Sequence, residues 1–182
     1  MLEILDTEVS VRYPTTKPEG GNNLCYNKWY AMKNRCYSPK YQYRDAYNGC
    51  TVCPEWMDYQ VFAAWYYSQP FAGDRLFHLD KDLTVFGNKV YSPDTCYLVR
   101  NEVNCLLADT GSVDRSLPKG VYSKAGWYMA SLCKGKFKCP QEAHLAYVEA
   151  KEAYVQQVAL KYRHELSETI FNNLMNWRVN ED

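Results

Sequence analysis

Three groups of residues have types and spacings suited to chemistry. His78, Asp80 and Asp82 stand at alternate positions. In an extended strand alternate side chains leave one face, so an imidazole and two carboxylates would be presented together. Cys50-Thr51-Val52-Cys53 is a CxxC, which is half of a zinc site. Cys36 and Cys96, or Cys25, can supply the other half. A Cys36, Cys50, Cys53 and Cys96 site would hold zinc through four thiolates at about 2.3 Å, with no position left open for catalysis. Packed, reduced thiols without metal are the alternative reading. Cys105 sits in an apolar stretch and reads as a core residue. Cys133 and Cys139 flank a Lys-Gly-Lys turn and could face each other across a hairpin.

The third group is basic. The chain has zero formal net charge, yet its charges are segregated. Lys28, Lys33, Arg35, Lys40 and Arg44 lie in Asn22–Arg44, which has no acid. Arg115, Lys119, Lys124, Lys134, Lys136 and Lys138 lie in Arg115–Gln141, again without an acid. Both blocks are interleaved with Tyr and Trp, the pattern of a surface that tracks phosphates. Two solvated loop faces are the bland alternative.

These residues need elements to hold them. A chain of 182 residues is one ordinary domain or two small ones. At 47% hydrophobic and 23% charged it is globular, not disordered. No run of about 18 apolar residues is present, so no membrane-spanning helix is expected. The start, Met1-Leu2-Glu3-Ile4-Leu5-Asp6, has acids where a secretion signal needs bases, so an intracellular protein with reduced thiols is expected.

Residues 1–21 read as a short strand and a loose arm. Helices are expected over Asn27–Cys36, capped by Asn27, and from Pro54 through Tyr66. Leu79–Val90, with Gly87-Asn88 at its turn, reads as a β-hairpin. Ser92-Pro93-Asp94 then opens a helix carrying Cys96, Val99, Val103 and Leu106. Thr110–Lys119 is the expected domain connector. Short strands follow at Gly120–Lys124, Trp127–Cys133 and Lys136–Cys139. A long helix runs from Gln141 to about Tyr162, its apolar face Ala143, Tyr147, Ala150, Tyr154 and Val158, and a last one from Ser167 to about Trp177.

Two stretches carry a family resemblance. "NNLCYNKWYAMKNRCYSPKYQ", "YNGCTVCPEW" and "FAAWY", followed by "LDKDL" and "GNKVYSPDTC", resemble the front of phage-encoded HNH homing endonucleases. "GKFKCPQEAHLAYVEAKEAY" resembles the end of an AP2 DNA-binding domain. The resemblance covers about residues 22–162. It implies an α+β fold: an arm at 1–21, an HNH-like ββα unit with N-terminal helices at 22–112, and an AP2-like three-stranded sheet packed on a long helix at 113–182. It also implies double-stranded DNA as partner, no membrane, and the cytoplasm of an infected bacterial host.

The same resemblance assigns roles. An HNH nuclease holds one divalent ion against the scissile phosphate while a histidine activates water. Here Asp80, Asp82 and Asn104 are the implied ligands, hard oxygen donors suited to magnesium or manganese. Asp94 is a weaker alternative ligand, because it also serves a helix N-terminus. Asn88 sits in the hairpin turn and would constrain it or orient the base. The family's catalytic histidine is replaced by Lys81, a poor base at its ordinary pKa of about 10.4. His78, on the face of the two aspartates, is the expected substitute. DNA contacts are expected from Lys28, Lys33, Arg35 and Lys40 in front, and from Lys119, Tyr122, Lys124, Trp127, Lys134, Lys136 and Lys138 behind. A metal-dependent endonuclease is the leading expectation. A catalytically silent DNA-binding regulator, or a factor that binds and inhibits a host protein, is the alternative.

Overall fold

The computed structural model describes residues 12–42, 46–107 and 116–179. Arg44, Arg115 and most of the expected connector at Thr110–Lys119 lie outside the described residues. These residues form a mixed α+β chain with six α-helices and three two-stranded sheets. The helices and strands run, in order, α1 (Leu24–Tyr37), α2 (Pro39–Gln42), β1 (Thr51–Val52), α3 (Tyr59–Ser68), β2 (Phe77–Asp80), β3 (Val90–Tyr91), β4 (Tyr97–Arg100), α4 (Asn101–Asn104), β5 (Val121–Lys124), β6 (Trp127–Ala130), α5 (Pro140–Lys161) and α6 (Glu168–Met175). Single 3-10 turns lie at Pro54–Met57 and Arg163–Glu165. No described helix is long and apolar enough to cross a membrane.

Contacts divide the chain into two units. One comprises the described residues up to Asp82 with Gly87–Leu98; the other comprises Leu83–Phe86 and the described residues from Val99 onward.

In the first unit α1 begins three residues earlier than its sequence suggests. Asn23, not Asn27, is the cap, and its side-chain oxygen accepts the Tyr26 N–H at 2.7 Å. Pro54 opens a 3-10 turn, and Asp58 then caps α3 by accepting the Gln60 N–H at 2.7 Å. The inner faces of α1 and α3 bury Met32, Cys36, Phe62 and Tyr66 around Trp56, which has no exposed surface.

The hairpin expected over Leu79–Val90 does not form. β3 instead pairs in parallel with β1, Thr51 opposite Val90 and Val52 opposite Tyr91. β2 is hydrogen-bonded to β4. The helix expected to open at Ser92-Pro93-Asp94 and to carry Cys96, Val99, Val103 and Leu106 is likewise replaced. Ser92 and Thr95 close a single turn through their hydroxyls, 3.0 Å apart, and the Cys96 N–H donates to the Ser92 carbonyl at 3.0 Å. Tyr97-Leu98-Val99 then extends as a strand, the ordinary preference of its aromatic Tyr97 and β-branched Val99. Only Asn101–Asn104 is helical.

In the second unit β5 and β6 form an antiparallel hairpin joined by Ala125-Gly126. Both turn residues have positive φ, 51° and 80°, the left-handed pair that matches the twist of a two-residue hairpin. The third expected strand is reduced to a single bridge, Phe137 exchanging hydrogen bonds with Tyr128 at 2.9 and 3.0 Å. Tyr147 of α5 packs with Ala130, Phe137 and Cys133 beneath this sheet. Gly120 lies so close to that ring that a Cβ would stand 2.3 Å from it. α5 buries Ala143, Tyr147, Val155, Val158 and Ala159, while the expected core residue Tyr154 is exposed. Arg100 clamps Glu165 through two hydrogen bonds of 2.6 Å.

Candidate nucleic-acid interface and candidate metal-binding residues

The hairpin has two unlike faces. Cross-strand partners share a face, so Val121, Ala130, Ser123 and Tyr128 form one and Tyr122, Met129, Lys124 and Trp127 the other. Val121 and Ala130 are buried, which sets the first face inward. Tyr122, Lys124 and Trp127 are exposed on the second. Phe137 turns inward with Tyr128, so its neighbours Lys136 and Lys138 point outward, and both are exposed. Lys134 is exposed in the preceding turn. The result is a two-stranded ribbon whose outer side presents Tyr122, Trp127, Lys124, Lys136 and Lys138 with no acid among them. Met129 belongs to this side too. Counting alternate positions on from Trp127 would have found it.

Lys119 stands apart from the ribbon, half-buried at its base. Its carbonyl is 2.8 Å from Nδ1 of His144, whose ring stacks on Tyr147.

The front block is less free. Lys28 donates from Nζ to the Phe77 carbonyl, and burial, with the charge of Arg35, pushes its pKa down. Arg35 is half-buried, hydrogen-bonded to Tyr91 and 5.5 Å from the Tyr47 ring. Lys33 lies 4.3 Å over the Trp29 ring, and exposed Lys40 lies 6.0 Å from Tyr41. Of the four expected DNA contacts, two are thus partly consumed by the protein itself.

His78 and Asp80 leave the same side of β2, opposite the buried Phe77 and Leu79. Burial, then the charges of Lys28 and Arg35, holds the His78 pKa below its ordinary value. Asp82 lies beyond the strand end. Its backbone N–H donates to Oδ1 of Asp80 at 2.8 Å, so the two carboxylates are joined by a tight turn.

Lys81 is the buried residue of this loop, only 4% exposed. Its Nζ donates to Oδ1 of Asp82 and, at 2.7 Å, to the Asn88 carbonyl. The Asn88 amide returns hydrogen bonds to the carbonyls of Lys81 at 2.8 Å and Val90 at 2.7 Å. In this arrangement Lys81 is a donor that locks a loop, the opposite of a general base, and Asn88 is its clamp. Asn104 is the last residue of α4 and belongs to the second unit.

Cys36, Cys50 and Cys96 are buried, and Cys53 is half-buried. Among the described residues no three His, Cys, Asp or Glu side chains stand together as a metal-holding group. Burial raises the thiol of Cys36 to about 11 and that of Cys96 to about 12, which favours protonated thiols. No protein-family model, curated protein or solved structure matches the chain.

Proposed function

We propose that the protein binds double-stranded DNA through the outer side of the β5–β6 ribbon. One observation carries this reading: two aromatic rings and three lysines leave one exposed, acid-free face of a two-stranded sheet. A major groove about 12 Å wide admits such a ribbon. Lys124, Lys136 and Lys138 would sit on phosphates and set the register, while Tyr122 and Trp127 meet base edges or sugars. The long helix α5 behind the hairpin supports it, the arrangement that the AP2 resemblance implies. The zero net charge does not oppose this, because association follows the local field of the patch.

A metal-dependent endonuclease is the second reading, favoured by His78 and Asp80 sharing one side of β2. Asp80 and Asp82 would supply oxygen ligands to magnesium or manganese, which would stabilise the charge that develops at the scissile phosphate. The engagement of Asp82 by Lys81 weighs against it. A structural zinc on Cys36, Cys50, Cys53 and Cys96 is checked by metal analysis of protein purified without added zinc.

The deciding experiment measures duplex binding of the full chain and of Lys124→Glu/Lys136→Glu, with circular dichroism to verify the fold. Wild-type binding lost in the variant supports the ribbon. No duplex binding, or equal binding by a folded variant, overturns it. Supercoiled DNA is incubated alongside in magnesium, manganese and EDTA. Metal-dependent nicking abolished by Asp80→Ala establishes the nuclease, and its absence leaves a DNA-binding regulator. A chain that binds no DNA at all directs attention to a host protein as partner.

A further inference from the structure

The first unit carries a cleft of about 390 Å³ along the outer side of α1. Its walls are Tyr26, Trp29, Tyr30, Lys33, Asn34 and Tyr37. Steps of three and four residues place these side chains in one stripe. At 1.5 Å per residue, the stripe from Tyr26 to Tyr37 is roughly 16 Å long.

The walls are held from behind. The Trp29 indole N–H donates to the Trp56 carbonyl at 2.8 Å, and the Tyr37 hydroxyl accepts the Val52 N–H at 3.0 Å. Tyr26 stacks with Tyr30 at 6.3 Å and meets Tyr59 edge-on at 5.3 Å. Yet Tyr30 is 54% and Tyr37 49% exposed, so anchored aromatic surface is turned to water. Rings fixed in this way lose little freedom when a ligand stacks on them.

Charge selects the occupant. α1 contains no acid from end to end, and among the described residues the only charged side chain lining the cleft is Lys33. Ser38 also lines the cleft, and Lys40, two residues beyond it in α2, is exposed. Aromatic platforms beside cations are how proteins hold unpaired nucleic acid, bases on the rings and phosphates on the lysines. Asn34 adds a side-chain amide that can meet a base edge. A proline-rich peptide also uses aromatic grooves, but it brings no anion for the lysines to answer.

We infer that the α1 cleft binds an unpaired nucleic-acid strand, its bases stacking on Tyr30 and Tyr37 and its phosphates meeting Lys33 and Lys40. This site lies in a different unit from the β5–β6 ribbon and stands without it.

The test uses the full chain and a fluorescein-labelled oligothymidylate, read by anisotropy. Stacking on one ring predicts a loss of about 5- to 150-fold for Tyr30→Ala. Tyr30→Phe, which keeps the ring, retains wild-type affinity. Lys33→Gln weakens binding and flattens its salt dependence by about one unit of slope. Lys124→Gln/Lys136→Gln leaves oligothymidylate affinity unchanged, while Tyr30→Ala leaves duplex affinity unchanged; the two sites therefore fail separately. Absence of oligothymidylate binding, equal binding by Tyr30→Ala, or an equal loss in Tyr30→Phe overturns the inference. So does a Tyr30→Ala variant that loses a proline-rich peptide and keeps the oligonucleotide, which makes the cleft a protein dock.

Discussion

Replacing Lys124 and Lys136 together by glutamine should change how duplex binding responds to salt. Each lysine that neutralises a phosphate contributes about 0.9 to the slope of log affinity against log salt. Lys124, Lys136 and Lys138 on the outer side of the ribbon therefore account for about 2.7 of that slope. Between about 50 and 200 mM salt this is a loss of about 40-fold in affinity, which the double variant reduces to about 3- to 4-fold. Fluorescence anisotropy with a labelled duplex across that salt range reads both numbers. Lys28 is the contrast. It is equal to Lys124 in the sequence, but its Nζ is bound to the Phe77 carbonyl. Lys28→Met should leave the slope unchanged while lowering stability in urea by about 1–3 kcal/mol, the cost of losing a part-buried hydrogen bond from a charged donor. A slope that falls in Lys28→Met and stays constant in the double variant would refute the ribbon as the duplex site.

Three further outcomes follow from named contacts. Lys81→Met should destabilise the chain by about 1–3 kcal/mol, because the Asn88 carbonyl loses its buried donor, and urea unfolding measures it; an unchanged midpoint removes Lys81 as the loop's lock. Gly120→Ala should cost about 2–5 kcal/mol by the same assay, combining left-handed φ strain with a Cβ driven into Tyr147, and a cost under about 1 kcal/mol contradicts that packing. Stability should also depend on alkaline pH. Burial raises the folded-state thiols of Cys25 and Cys96 to about 12, so the folded chain holds protons that the unfolded chain releases above its ordinary thiol pKa of about 8.5. The stabilisation is complete below that pKa and falls away as pH rises towards 12. Thermal melts between those limits follow it, and the decline should shrink in Cys96→Ala.

Much of the second unit was legible from local signals. Pro140 at the start of α5, the Ala-Gly turn between two short aromatic strands and the cap at Ser167 are each decided by neighbouring residues, so they appear where the sequence places them. The basic ribbon face follows from the same period of two, once the register is known. The region between Leu79 and Leu106 was not legible in this way. Gly87-Asn88 reads as a hairpin turn, but a strand takes whichever edge the fold offers, and β3 found the edge of β1, almost forty residues away in sequence, while β2 found β4. That exchange decides the candidate catalytic residues. Lys81, which stands where the resemblance implies a catalytic base, is buried and closes a loop with Asn88. Composition and period determined that this chain has a buried core and two acid-free basic stretches. Only the tertiary structure decided which lysines face water and which are tied to backbone carbonyls, because burial is set by long-range packing that no local spacing encodes.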